Sequence, residues 1–124
     1  MIADADTACG NALNTQRAAS ASERAGIAAF HSGDQAFPKQ CGHCDNKALV
    51  SVREMTQKLR AVRSAITDPD FIVIARTDAI AVEGFNAPID RARAYLDAGA
   101  DMIFVEAPTS EAEIAEVAKL LPGY

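Results

Sequence analysis

Two apolar runs, "FIVIA" (71–75) and "MIFVEA" (102–107), stand on either side of a helix pattern, "FNAPIDRARAYLDAGAD". That order limits the fold more than any other feature of the chain. A short, continuous, β-branched run is what a parallel strand buried on both faces requires, and strand, helix and strand in succession close through a right-handed crossover. The segment between them marks its own ends. Asn86 can cap, Pro88 suits the first turn, Ile89, Ala92 and Leu96 form a stripe, and Gly99 stops the helix.

The same alternation runs through the rest of the chain. Met1 to Ala5 reads as a short strand ending in carboxylates, and "GIAAF" (26–30) as a second strand. Between them Ala18, Ala21 and Ala25 keep helical spacing, with Asn14 as N-cap and Gly26 near the helix end. Ser51 and Glu54 make a capping box, and Met55, Leu59, Val62 and Ile66 repeat along one helix face. Ser110 with Glu113 opens a last helix carrying Ile114, Val117 and Leu121, which Pro122 ends. The order is βαβαβαβα, an α/β protein. "ERAGIAAF" and "LDAGADMIF" both run through Ala-Gly into a strand, as repeated βα units do.

In parallel α/β folds the site lies at the carboxyl ends of the strands. This directs attention to Asp4 and Asp6, His31 to Asp34, Arg76 to Asp78, and Glu106. Asp4 and Asp6 point to one face if the strand persists, and could share a hard cation such as Mg²⁺ or stand as solvated carboxylates. Arg76 offers a planar fork to a carboxylate or phosphate, or to Asp78. Glu106 inside an apolar strand needs a cation or hydrogen-bond partner. His31 reads first as a hydrogen-bonded rim residue rather than a ligand.

The 124 residues suffice for one domain, and a formal charge of −5 with acids and bases interspersed disfavours a nucleic-acid surface or an anionic membrane patch. Small molecules or protein are the expected partners. The opening "MIADADTACG" lacks the basic start of a secretory signal, and no apolar run reaches the ~18 residues needed to span a bilayer. A cytoplasmic setting is expected, where three cysteines, an odd number, stay reduced.

"CGHC" (41–44) is open to several readings. Haem attachment needs histidine after the second cysteine, where Asp45 stands. Zinc needs a second ligand pair, and Cys9, His31 and His43 are poorly spaced for it. A redox dithiol should open a helix directly after a strand, whereas this motif lies about ten residues before the Ser51 cap. A thiol redox protein using Cys41 and Cys44 remains the third-ranked alternative.

Taken in order, "DADTACGNALN", "DQAFPKQCGH", "FIVIARTDA" with "AVEG", and "AGADMIFVEA" resemble the isocitrate lyase/phosphoenolpyruvate mutase superfamily, with the Cys-Gly-His loop similar to its 2-methylisocitrate lyase branch. The resemblance spans nearly the whole chain. It implies a (β/α)₈ TIM barrel, of which residues 1–124 form a single partial domain of about four βα units, matching barrel strands 3 to 6. It also implies a Mg²⁺-dependent carbon–carbon lyase acting on a di- or tricarboxylate. By that resemblance Asp4 and Asp6 hold the metal, and Lys39 and Cys41 lie on the active-site loop with Cys41 as general acid. Gly42, His43, Arg76 and Glu106 then surround the substrate.

The chain departs from the family pattern at named positions. Gly33, Asp34 and Gln35 stand where Glu-Asp-Gln is usual, removing a carboxylate from the metal's water shell, a kind of loss that typically costs ~10 to 100-fold. Gln40 replaces an arginine, and Ala8, Cys9 and Gly10 replace Gly-Tyr/Phe-Gly. A sheet of four strands exposes two edges and one inner face, so association with another chain, status as part of a longer barrel, or instability is expected, with a homo-oligomer as the expected partner state. A non-catalytic half-barrel assembly module is therefore the second alternative.

Overall fold

The computed structural model describes residues 1–41 and 46–123. Four strands, β1 (Ile2–Asp4), β2 (Ala29–Gly33), β3 (Ile72–Thr77) and β4 (Met102–Val105), pair in sequence order and are all parallel. Each is followed by helix: α1 (Ala12–Arg24), α2 (Val52–Ala65), the single turn α3 (Ile80–Glu83) with α4 (Ala87–Asp97), and α5 (Glu111–Leu120). This is the expected α/β order, four βα units of a partial barrel.

Strand register separates two faces. Ile2, Ala29 and Ile72 share one row, Asp4, His31, Ile74 and Met102 the next, and Gly33, Arg76 and Phe104 a third. Because side chains alternate along a strand, all of these belong to one face. The opposite face carries Phe30, Val73 and Ala75, fully buried against Ala19 of α1, Met55, Leu59 and Val62 of α2, and Tyr95 of α4. Truncating one of these large core side chains to alanine costs about 2–5 kcal/mol. A smaller cluster of Ile89, Ala92 and Leu121 seats α4 and α5 over β4.

The expectation that "FIVIA" is buried on both faces is corrected. Among the described residues only the helix-covered face is closed, and Ile2 (62%), Ile72 (38%), Met102 (44%) and Phe104 (46%) are exposed on the other. The sheet is open where a closed barrel would have its interior.

Local signals held where a cap and a stripe agreed. Ser51 Oγ accepts from the Glu54 N–H at 3.1 Å and Ser110 Oγ from the Glu113 N–H at 3.2 Å, caps that each contribute about 1 kcal/mol. Met55, Leu59 and Val62 are buried as their spacing requires. Gly99 ends α4 at φ +107°, and a Cβ there would meet Arg63 Cγ at 2.6 Å, so only glycine fits.

Several boundaries moved, β3 running Ile72–Thr77 rather than 71–75 and β4 ending at Val105 rather than 107. The second strand is Ala29–Gly33 rather than 26–30, because pairing with β1 and β3 continues through polar His31 and Ser32 while Gly26 and Ile27 finish the turn after α1. Asn11, not Asn14, caps α1: its side-chain oxygen accepts from the Asn14 N–H at 3.0 Å, and the Asn14 amide donates instead to the Cys9 carbonyl. Asn86 makes no side-chain cap: its own backbone is already in the helical region at φ −78° and ψ −30°, not the extended one that a capping side chain needs, although Pro88 does sit in the first turn.

Candidate active site

Strand alternation and the turns after β1 to β4 gather the polar residues on the open face. The β1 end supplies two carboxylates, though not by strand alternation alone. The strand stops at Asp4, Asp6 adopts φ +57°, and the turn folds the Asp6 N–H back onto Asp4 Oδ1 at 2.9 Å. His31 Nδ1 reaches the same oxygen at 3.3 Å, so Asp4 Oδ2 carries neither contact. Burial tends to raise the Asp4 carboxyl, but the Asp6 N–H, His31 and the charge of Lys39 together hold it below its ordinary value. Lys39 Nζ lies 2.8 Å from Asp6 Oδ1.

Across the face, Arg76 donates Nε and Nη2 to the two carboxylate oxygens of Asp78 at 2.9 and 3.0 Å. Nη2 also stands 3.6 Å from Glu106 Oε2, and the guanidinium lies 5.8 Å from the centre of the Phe104 ring. Glu106 is not inside the strand as expected. It follows β4, its N–H bonded to the Thr77 carbonyl at 2.9 Å, and Arg76 is the cation that its half-buried carboxylate requires. Asp78 is completely buried and also pairs with buried Lys47 at 3.8 Å.

Beneath the site a buried network fixes the ends of β2 and β3. Asp34 accepts from Tyr95 Oη at 2.7 Å, Thr77 Oγ1 at 2.8 Å and the Asp78 N–H at 3.0 Å, with Arg91 Nη1 at 3.4 Å. Desolvation pushes its carboxyl above the ordinary range against the pull of those donors. Arg91 in turn makes a fork on Glu83 at 2.8 and 2.7 Å.

The loop after β2 brings Lys39 to Asp6 and leaves Cys41 exposed at the rim. Cys41 lies in irregular chain ten residues ahead of the Ser51 cap, as its sequence context requires. Buried Gln35 holds this loop. Its Nε2 donates to the Gln40 carbonyl and its Oε1 accepts from the Gln40 N–H, both at 3.0 Å. A cavity of about 400 Å³ opens between the two loops, lined by Asp6, Thr7, Cys9, Gly10 and Phe37. Gly42, His43 and Cys44 fall outside the described residues.

The structure therefore brings Asp4, Asp6, Lys39, Arg76 and Glu106 to one end of one face, with Cys41 on the adjoining loop. Lys47 was not singled out by sequence reasoning, and Gln35 was named there only as unchanged from the Glu-Asp-Gln pattern. Lys47 carries no local signal, since only the fold takes it to Asp78. Gln35 has a weak one, its place in the Gly33-Asp34-Gln35 stretch two residues past β2 and just before a loop rich in chemical groups.

Among the described residues no cluster of three or more His, Cys, Asp or Glu side chains is close enough to enclose a metal. The donor chemistry nevertheless suits Mg²⁺, which is held by one or two carboxylates and keeps several waters. Asp4, with one oxygen clear of the His31 and Asp6 contacts, and Asp6 are that kind of pair.

A family model described as phosphoenolpyruvate phosphomutase matches residues 1–124. The chain is 51% identical over 109 residues to 2-methylisocitrate lyase of Shewanella oneidensis, covering 88% of this chain and 37% of that protein. It is 43% identical over 124 residues to 2,3-dimethylmalate lyase of Eubacterium barkeri, covering 100% and 43%. A crystal structure of 2,3-dimethylmalate lyase superposes with a TM-score of 0.94 at 39% identity, covering 99% of this chain and 42% of that one. Phosphonopyruvate hydrolase in complex with oxalate and Mg²⁺ superposes with a TM-score of 0.86 at 38% identity, covering 99% and 42%. The chain thus spans about two-fifths of the length of these relatives. It belongs to the isocitrate lyase/phosphoenolpyruvate mutase superfamily.

Proposed function

We propose that residues 1–124 carry the cation-holding, guanidinium and proton-donor positions of a Mg²⁺-dependent carbon–carbon lyase that cleaves a branched 2-hydroxy di- or tricarboxylate of the 2-methylisocitrate type. The observation that carries this reading is the convergence of Asp4, Asp6, Lys39 and Arg76 at the carboxyl end of one sheet face, beside the Cys41 loop. The two similar proteins named as lyases support it, as does the Mg²⁺ complex of phosphonopyruvate hydrolase. A cytoplasmic setting and a single partial-barrel domain over 1–124 belong to the same reading.

The residues divide the work. Asp4 and Asp6 would hold the cation, which supplies positive charge for the 2-oxo acid formed on cleavage. Arg76, fixed by Asp78 and Glu106, keeps a guanidinium edge at the face for a substrate carboxylate. Cleavage turns the substrate's C–OH into the C=O of the 2-oxo acid, the hydroxyl proton passing to solvent, and moves the electron pair of the broken carbon–carbon bond onto the leaving carbon. Cys41 then donates its thiol proton to that carbon, completing a succinate-type product. Lys39 places a positive charge between the metal carboxylates and the thiol's loop, and Gly42 and His43 complete the substrate's surroundings.

Titration calorimetry tests the arrangement. Mg²⁺ and pyruvate should bind together, each more tightly in the presence of the other, and Asp4→Asn should abolish the coupling. Mg²⁺ binding that is absent, or unaltered in Asp4→Asn, contradicts the reading.

The open sheet face favours a second reading, a half-barrel that assembles with another copy of itself through Ile2, Ile72, Met102 and Phe104. Sedimentation at rising concentration distinguishes it. A folded dimer without turnover supports assembly alone, and a monomer at all concentrations rules it out.

A further inference from the structure

We propose that Gln35 is a positioning residue for the lyase reaction, fixing the loop that carries Lys39 and Cys41 by a two-point clamp on the backbone of Gln40. This rests on the reading of Cys41 as proton donor. Gln35 is 1% exposed and lies two residues past the end of β2. Its carboxamide presents the same donor and acceptor as a peptide group, and both bonds, at 3.0 Å, fall on one residue. The orientation of the amide is set by the partner, because a backbone N–H must face oxygen and a carbonyl must face nitrogen.

The clamp lies between the two loop side chains in the proposed chemistry. Lys39 precedes the held residue and reaches Asp6 at 2.8 Å, with its side chain only 17% exposed. Cys41 follows it and is exposed. Behind the clamp, the Ala36 N–H bonds to the Ala48 carbonyl at 2.8 Å and Gln35 bridges Leu49, so the base of the loop is itself pinned to the approach of α2. Gln40 is therefore the fixed point from which Lys39 turns toward the metal carboxylates and Cys41 toward the rim. No other residue type of this length supplies both halves of the clamp: glutamate brings two acceptors, and methionine brings neither group. Misplacing a reacting group by about 1 Å can cost about 100-fold in rate.

Gln35→Met keeps length and removes both bonds, and hydrogen exchange with turnover reads the result. The Gln40 amide should exchange about 10-fold faster or more, as expected for a lost protecting bond, while amides of β3 stay unchanged. In the same protein kcat should fall about 10- to 100-fold with KM nearly constant. Unchanged exchange at Gln40, or faster exchange with unchanged kcat, overturns the proposal. Should Gln35→Met fail to fold, Gln35→Glu, which loses only the donor, gives the same comparison. Absence of turnover from the unsubstituted chain would overturn the lyase reading instead, and the exchange result alone then decides the clamp.

Discussion

Arg76 and Asp78, two residues apart at the end of β3, form a two-bond fork at 2.9 and 3.0 Å with Asp78 completely buried. The pair links the face where substrate is proposed to bind to the network beneath it, since the Asp78 N–H is held by Asp34. Arg76→Lys keeps the charge and cannot make the fork. It should lower unfolding free energy by about 1–3 kcal/mol in urea titration, and raise KM more than it changes kcat.

Asp34 accepts four hydrogen bonds, one of them from the Arg91 guanidinium, with no exposure of its own. Breaking one side of a buried pair costs about 3–5 kcal/mol, because the partner is left without compensation. Asp34→Ala should therefore lose stability on that scale in denaturant titration, with Arg91 left facing Tyr95 and Glu83. A loss below about 1 kcal/mol would show that the network rearranges freely.

Glu83 and Asp34 flank Arg91 with opposite pH signs. The fork from Arg91 holds the Glu83 carboxyl below its ordinary 4.5, so its stabilisation is present above that pH and is lost as the pH falls through the lowered value. Burial raises Asp34 above 3.8, so its contribution runs the other way, present below 3.8 and lost as the pH rises through the raised value. Glu83→Gln should flatten the loss of stability below about pH 4.5, most visibly at low salt, since Glu83 is largely solvated. Thermal melts across that range measure it.

Gly33 sits on the open face between Asp6 and Arg76, at the position where the family resemblance implies a glutamate. A Cβ built there would meet the Asp6 carbonyl at 3.5 Å and Arg76 Cδ at 3.8 Å, ordinary contacts, so a side chain fits. Gly33→Glu should then strengthen Mg²⁺ binding about 10- to 100-fold, the typical weight of an outer partner of a metal site. Calorimetry against the unsubstituted chain gives the ratio.

The parallel order of elements was legible because apolar runs and caps coincided, as at Ser51 with Met55, Leu59 and Val62, and at Ser110 with Glu113. It was less legible where pairing alone defines a strand, as at His31 and Ser32, whose polarity hides a strand held on both sides. "FIVIA" showed that a run apolar on both faces need not have both faces covered within one chain. At the site, residues at strand ends were readable by position: Asp4, Asp6, Arg76 and Glu106 all lie where parallel topology places a site. Lys47, which reaches Asp78 from a distant loop, and the Gln35 clamp on Gln40 depend on loop geometry that no periodicity encodes.

Release of a 2-oxo acid from 2-methylisocitrate is the most direct measurement. Pyruvate should appear in equal amount to succinate, dependent on added Mg²⁺, stopped by a chelator, and abolished by Cys41→Ser in a protein that still folds. Release that persists in Cys41→Ser, or none from the folded chain with Mg²⁺ present, would contradict the lyase reading.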